Sequence, residues 1–162
     1  RYYFVTYCGA NLTLWKRTTM IAAESALDIQ QHIDIKAPID KVYEGMLQEF
    51  SALMRYPDGR SMNMILERKP GGRWYRDLGD NAGHLWGHVQ SIKPPHLLEL
   101  VGPLFMSYPA VNHVECRLSE TDGMTRVTLR HRAIGPVEDQ HSQGVSQGWQ
   151  GMLDEIKKNA EQ

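Results

Sequence analysis

The chain has little cysteine, almost no net charge and no long apolar run, and each shortage excludes a class of protein. Cys8 and Cys116 are the only thiols in 162 residues, too few and too far apart for a disulfide-built scaffold. Cys116 alternates with polar neighbours on an apolar strand face, so a buried free thiol in a reducing, cytoplasmic compartment is expected. A formal charge of −1 gives no bulk attraction to nucleic acid or to an anionic membrane. No stretch approaches the roughly 20 apolar residues that cross a bilayer. No internal repeat, low-complexity tract or linker divides the chain. With 41% hydrophobic and 23% charged residues, it reads as one globular domain with a real core.

Residues 1–19 stand apart. They mix aromatics with Lys16 and Arg17 at no sustained period, and the basic pair follows the apolar residues where a signal peptide would place it first. They are expected to be a disordered or non-native extension, such as a vector remnant or an over-extended reading frame, or else an extra strand. The domain proper is then 20–162, with Met20 as a plausible start.

The clearest pattern lies in the last third. Asn112, Val114, Cys116 and Leu118 alternate with Val111, His113, Glu115 and Arg117. Thr121-Asp122-Gly123 supplies a tight turn. Val127, Leu129 and His131 then share one face, with Arg126, Thr128, Arg130 and Arg132 on the other. This is a half-buried antiparallel hairpin with a cationic outer face. Beyond Gly135-Pro136 the period becomes 3.6, and Val145, Trp149, Met152, Leu153 and Ile156 form one stripe of a helix ending near Asn159.

Earlier, 28–36 reads as a strand with Ile29, Gln31, Ile33 and Ile35 on one face. Ala37-Pro38 opens a helix whose stripe is Ile39, Val42, Tyr43, Met46, Leu47 and Phe50. Tyr56-Pro57-Asp58-Gly59 is a turn. Strands follow at 61–68, 73–78, 84–93 and 96–101, separated by glycine and proline clusters. Strands that do not alternate with helices predict an α+β fold: a curved antiparallel sheet of six to seven strands wrapped around a long C-terminal helix.

Gly144, Gly148 and Gly151 each cost that helix roughly 1 kcal/mol relative to alanine. Close approach of a neighbouring backbone is the commoner reason for such glycines and is the expectation here. The alternative is space beside the helix.

Chemistry-bearing patterns are weak. His84 and His88 lie about 13 Å apart on a strand and cannot share one ion, so no metal site is expected. Ser107, Ser142 and Ser146 lack a nucleophile elbow, and the Glu138-Asp139 and Asp154-Glu155 pairs read as solvated. No catalytic residue and no cofactor is assigned. The Arg126, Arg130 and Arg132 face is expected to guard the sheet against aggregation. His131 should point inward, either as a core histidine bonded to backbone or as a proton donor in a cavity. Parity near Trp86 is open: either Trp86 and His88 face inward, or Leu85, Gly87 and Val89 do.

At this point the chain resembles a known family. Asp34-Ile35-Lys36-Ala37-Pro38-Ile39-Asp40-Lys41-Val42-Tyr43 is similar to the first strand and helix start of the START-like superfamily, also called SRPBCC or Bet v 1-type, with its helix-grip fold. Gly71-Gly72-Arg73-Trp74, Gly87-His88-Val89 and Pro94-Pro95-His96-Leu97-Leu98 resemble the signature of the branch related to activator of Hsp90 ATPase homologue 1 (AHSA1). The residues 125–131 and Gly148-Trp149-Gln150-Gly151-Met152-Leu153 complete the match, which runs over about 28–158. One departure is the absence of a tryptophan between Phe50 and Asn63.

The resemblance implies a hydrophobic tunnel between sheet and helix in which relatives hold lipids, sterols or polyketides. Met62, Met64, Trp74, Trp86, Tyr108, His131, Trp149 and Met152 are the expected cavity residues, the methionines for pliability and the tryptophans for broad apolar bodies. The expected ligand is a hydrophobic small molecule. Alternatives are a protein-interaction module meeting an Hsp90-type chaperone through the sheet face, and a cavity enzyme of the polyketide cyclase type. Nucleic-acid partners and membrane insertion are not expected.

Overall fold

The computed structural model describes residues 25–104, 109–137 and 139–162; the expected extension at 1–19, Cys8 and Tyr108 lie outside them. Seven strands form one antiparallel sheet: β1 (Ser25–Ile35), β2 (Met64–Leu66), β3 (Arg73–Gly79), β4 (Ala82–Lys93), β5 (Leu97–Gly102), β6 (Val111–Thr121) and β7 (Met124–Ile134). Their order is β1-β7-β6-β5-β4-β3-β2. Helix α1 (Ile39–Glu49) follows β1, and α2 (Asp139–Ala160) closes the chain across the concave face.

Turn chemistry sets the hairpins. Thr121 pairs with Met124, and the two residues between, Asp122 and Gly123, have φ of 53° and 73°. Both left-handed conformations match the right-handed twist of the flanking strands. Asp80 and Asn81 repeat the device between β3 and β4 with φ of 51° and 61°. The strand expected at 61–68 shrinks to Met64–Leu66, because Asn63 is left-handed, with φ of 52°, and breaks the extended run.

The Trp86 parity is settled by a bulge. Trp74 pairs with Gly87 but Tyr75 pairs with Leu85, so Trp86 is the extra residue and the alternation resets across it. Trp86 and Val89 are therefore both buried while Leu85 and His88 face solvent. Close backbone approach occurs beside the bulge. A Cβ on Gly87 would sit 2.5 Å from the Val101 carbonyl oxygen, and the Leu104 amide donates to the Trp86 carbonyl at 2.7 Å.

The β7 arginines differ from expectation. β7 lies between β1 and β6 rather than at an edge. Arg126 is ion-paired with Asp34 at 2.7 Å and Arg130 with Asp28 at 2.8 Å. Two of the three arginines of this face are thus charge-matched by β1. Glu120, at the end of β6, accepts the first amide of α1 (Ile39) at 2.8 Å, supplying from the sheet the cap that Pro38 lacks.

The core lies between the sheet and α2. Val145, Trp149, Leu153, Ile156 and Ala160 are buried along one helix stripe. They meet Val114, Cys116, Val127 and Leu129 in the same cluster. Burial pushes the Cys116 thiol up to about 12, so it is a space-filling group and not a nucleophile.

Inside this apolar layer runs a polar relay. The Trp149 indole donates to His131 Nδ1 at 3.0 Å. Since indole can only donate, Nδ1 must be the bare nitrogen, and Nε2–H then donates to Asn112 Oδ1 at 2.8 Å. The Asn112 amide completes the chain to the Gly102 and Pro103 carbonyls at 3.3 and 3.2 Å. His131 and Asn112 have no solvent exposure.

Protonating His131 would place a second N–H against the indole N–H. Burial, with a smaller contribution from His113, lowers its pKa to about 4 from the ordinary 6.5. The folded state therefore resists a proton that the unfolded chain accepts below pH 6.5. Stability from this source is complete above pH 6.5 and declines as pH falls towards 4, by about 3 kcal/mol at about 1.4 kcal/mol per pH unit. Urea titrations of the wild type and His131→Gln should show a steeper loss across that window for the wild type. Asn112→Ala orphans the buried His131 N–H and should cost about 3 kcal/mol, read as a lower urea midpoint at neutral pH.

Candidate functional site

An open cleft of about 1050 Å³ runs between α2 and the segment that follows α1. Two opposed observations create it. On one wall, Phe50 ends α1, and its carbonyl accepts the Trp74 indole N–H at 2.7 Å, which holds the following turns in place. On the other, Gly144, Gly148 and Gly151 line the cleft, and a Cβ built on any of the three meets nothing within 4 Å. The expected close backbone approach is absent. These exposed glycines leave room beside the helix, Gly148 bordering the Trp149 stripe and Gly144 and Gly151 lying farther round.

An aromatic cluster underlies the cleft, which Trp86 and Trp149 border directly. Trp86 meets Trp74 edge-on with centroids 5.0 Å apart, Trp74 meets Phe50 at 5.5 Å, and Phe50 meets Trp149 at 5.8 Å. Such edge-on and tilted pairs add to simple burial. Trp149 is itself perpendicular to His131, with centroids 5.7 Å apart.

Of the residues expected to form a cavity, Met62, Trp86, Trp149 and Met152 border the cleft. Met64 and Trp74 are buried in the core beneath it and His131 lies behind Trp149; none of these three reaches its wall. Leu53, Met54 and Val145 extend the apolar lining.

Sequence reading missed the polar part of the wall. Glu49, in the last turn of α1, is only 7% exposed. It accepts a hydrogen bond from Asn159 of α2 at 2.9 Å. Burial, reinforced by Glu155, raises its pKa above the ordinary carboxylate value, with the Asn159 bond opposing. Lys158 and Glu155, both on the wall, pair at 3.0 Å. The signal was available: Glu49 follows Met46 by three and Val42 by seven, and Asn159 follows Ile156 by three and Met152 by seven, so each interrupts an apolar stripe.

Among the described residues no group of three or more His, Cys, Asp or Glu side chains is placed to hold a metal ion. No helix there is long and apolar enough to cross a membrane.

Comparison with known proteins follows the same architecture. The family described as Activator of Hsp90 ATPase homolog 1-like protein matches residues 36–161. No curated protein is matched by the sequence. Among solved structures, protein CV1439 from Chromobacterium violaceum aligns with a TM-score of 0.66 at 16% identity, covering 83% of this chain and 97% of that one. CalU16 from Micromonospora echinospora aligns at 0.57 and 23% identity, covering 82% and 75%. Ara h 8.0201 aligns at 0.60 and 14% identity, covering 82% and 96%. A seven-stranded curved sheet, a closing helix and a family match over most of the length agree: the chain belongs to the activator of Hsp90 ATPase homolog 1-like family and has the helix-grip, Bet v 1-like fold.

Proposed function

We propose that this protein binds a hydrophobic small molecule, non-covalently, in the cleft between α2 and the segment after α1. The observation that carries this reading is the row of three glycines opening onto empty space. A helix that gives up roughly 1 kcal/mol at each of three positions and fills none of the resulting room is best understood as keeping that room for a guest. Met62, Trp86, Trp149 and Met152 would supply the apolar contacts, with the methionines adapting to shape. A guest losing about 300 Å² of apolar surface gains a gross ~7–8 kcal/mol before the entropy of association is subtracted.

Catalysis has no comparable support. His131 is sealed in the core, and Glu49 faces no second titratable group in a defined acid–base geometry. Nor does the sheet face favour a partner protein, since Arg126 and Arg130 are already engaged by Asp34 and Asp28.

Thermal unfolding against sterols, flavonoids and aromatic polyketides tests the reading. One chemical class should raise the midpoint saturably, by an amount equivalent to about 2.7 kcal/mol at 100 times its dissociation constant. No shift with any class would remove the ligand-binding assignment. Gly148→Leu separates the helix from the cleft. It should raise the unliganded midpoint by about 2–3 °C through helix propensity, and it should abolish the ligand-induced shift because the new side chain fills the room.

A further inference from the structure

Resting on that ligand-binding reading, the cleft geometry also speaks to what the guest carries at its polar end. Glu49 is the one deeply buried carboxylate of the wall among the described residues. Its Oε1 is taken by Asn159. No described residue donates to Oε2, and that oxygen is not among the fully enclosed atoms left without a hydrogen bond. A carboxylate that is more than nine-tenths buried, lines a cleft and has one oxygen with no donor among the described residues is unsatisfied from the protein side.

The surrounding charges do not supply the missing donor. Lys158 is held by Glu155 at 3.0 Å, and Arg55 Nη1 donates to the Gly59 carbonyl at 3.1 Å. Both cations act on Glu49 only at longer range, and Glu155 opposes them. A second carboxylate entering here would meet repulsion from Glu49 and Glu155, whereas a hydroxyl or an ammonium would complete the hydrogen bonding of Oε2.

We infer that Glu49 is the polar anchor of the cleft, and that the physiological guest is an apolar molecule ending in a hydrogen-bond donor, a hydroxyl or a protonated amine, and not in a carboxylate. Asn159 acts as its positioning residue, holding the Glu49 side chain across the gap between the two helices.

Four matched aromatic probes test this on the full chain: naphthalene, 2-naphthylmethanol, 2-naphthylmethylamine and 2-naphthoate, with affinities from calorimetry and midpoints from thermal unfolding. The alcohol and the amine should bind about tenfold or more tightly than the naphthoate, the size of one hydrogen bond to a charged group. In Glu49→Gln, the amine should lose its advantage over naphthalene. Naphthoate binding as tightly as the amine, or an unaltered order of affinities in a folded Glu49→Gln, would overturn the anchor. The ranking of the four probes on the unaltered protein decides the question even where the variant does not fold. Binding by none of the four, naphthalene included, would instead overturn the ligand-binding reading on which the anchor rests.

Discussion

The hydrogen bond from the Trp149 indole to His131 fixes more of this molecule than any other single interaction. An indole N–H can only donate, so His131 has one permissible tautomer and Asn112 one permissible amide orientation. The relay ends on carbonyls at the close of β5. One donor on α2 thus ties the helix to three adjacent strands at a depth where an unmade hydrogen bond is expensive. It also sets the rotation of α2 about its own axis. With Trp149 held on the sheet, Gly148 and Gly151 fall on the side of the helix that lines the cleft.

α2 is secured to β1 at two points. Near the middle, Gln31 of β1 donates to the Ser146 carbonyl and hydroxyl at 2.9 and 3.1 Å. Near the C-terminus, Lys157 donates to the Asp34 carbonyl at 2.6 Å and to Glu161 at 2.8 Å. The exposed ion pairs of the sheet contribute little to stability by comparison. Their use lies in charge matching, which offsets two of the three charges of what reads in β7 as a cationic strip.

The β6–β7 hairpin, the apolar stripe of α1 and the closing helix were legible because periodicity and turn chemistry report short-range geometry directly. Cys116 and His131 were assigned inward by the same alternation. Trp86 was not assignable, since a bulge adds one residue and inverts parity, and nothing local in the segment distinguishes the two outcomes. The β7 arginines were misjudged because their neutralising partners, Asp28 and Asp34, sit about a hundred residues away. The helix glycines misled for the opposite reason: a glycine shows that a side chain is absent, but only the fold shows whether a neighbour or a void takes its place. Glu49 and Asn159 were visible as polar interruptions of apolar stripes, yet their meeting depends on how α1 and α2 are brought together.

The aromatic cluster beneath the cleft links the open room to the core. Trp86, Trp74 and Trp149 are joined through Phe50 by centroid separations of 5.0 to 5.8 Å. Trp86 and Trp74 are in direct ring contact, and Phe50 bridges Trp74 to Trp149. Among the described residues these three indoles therefore form one connected aromatic cluster, which borders the open cleft at Trp86 and Trp149 and meets the core imidazole at Trp149.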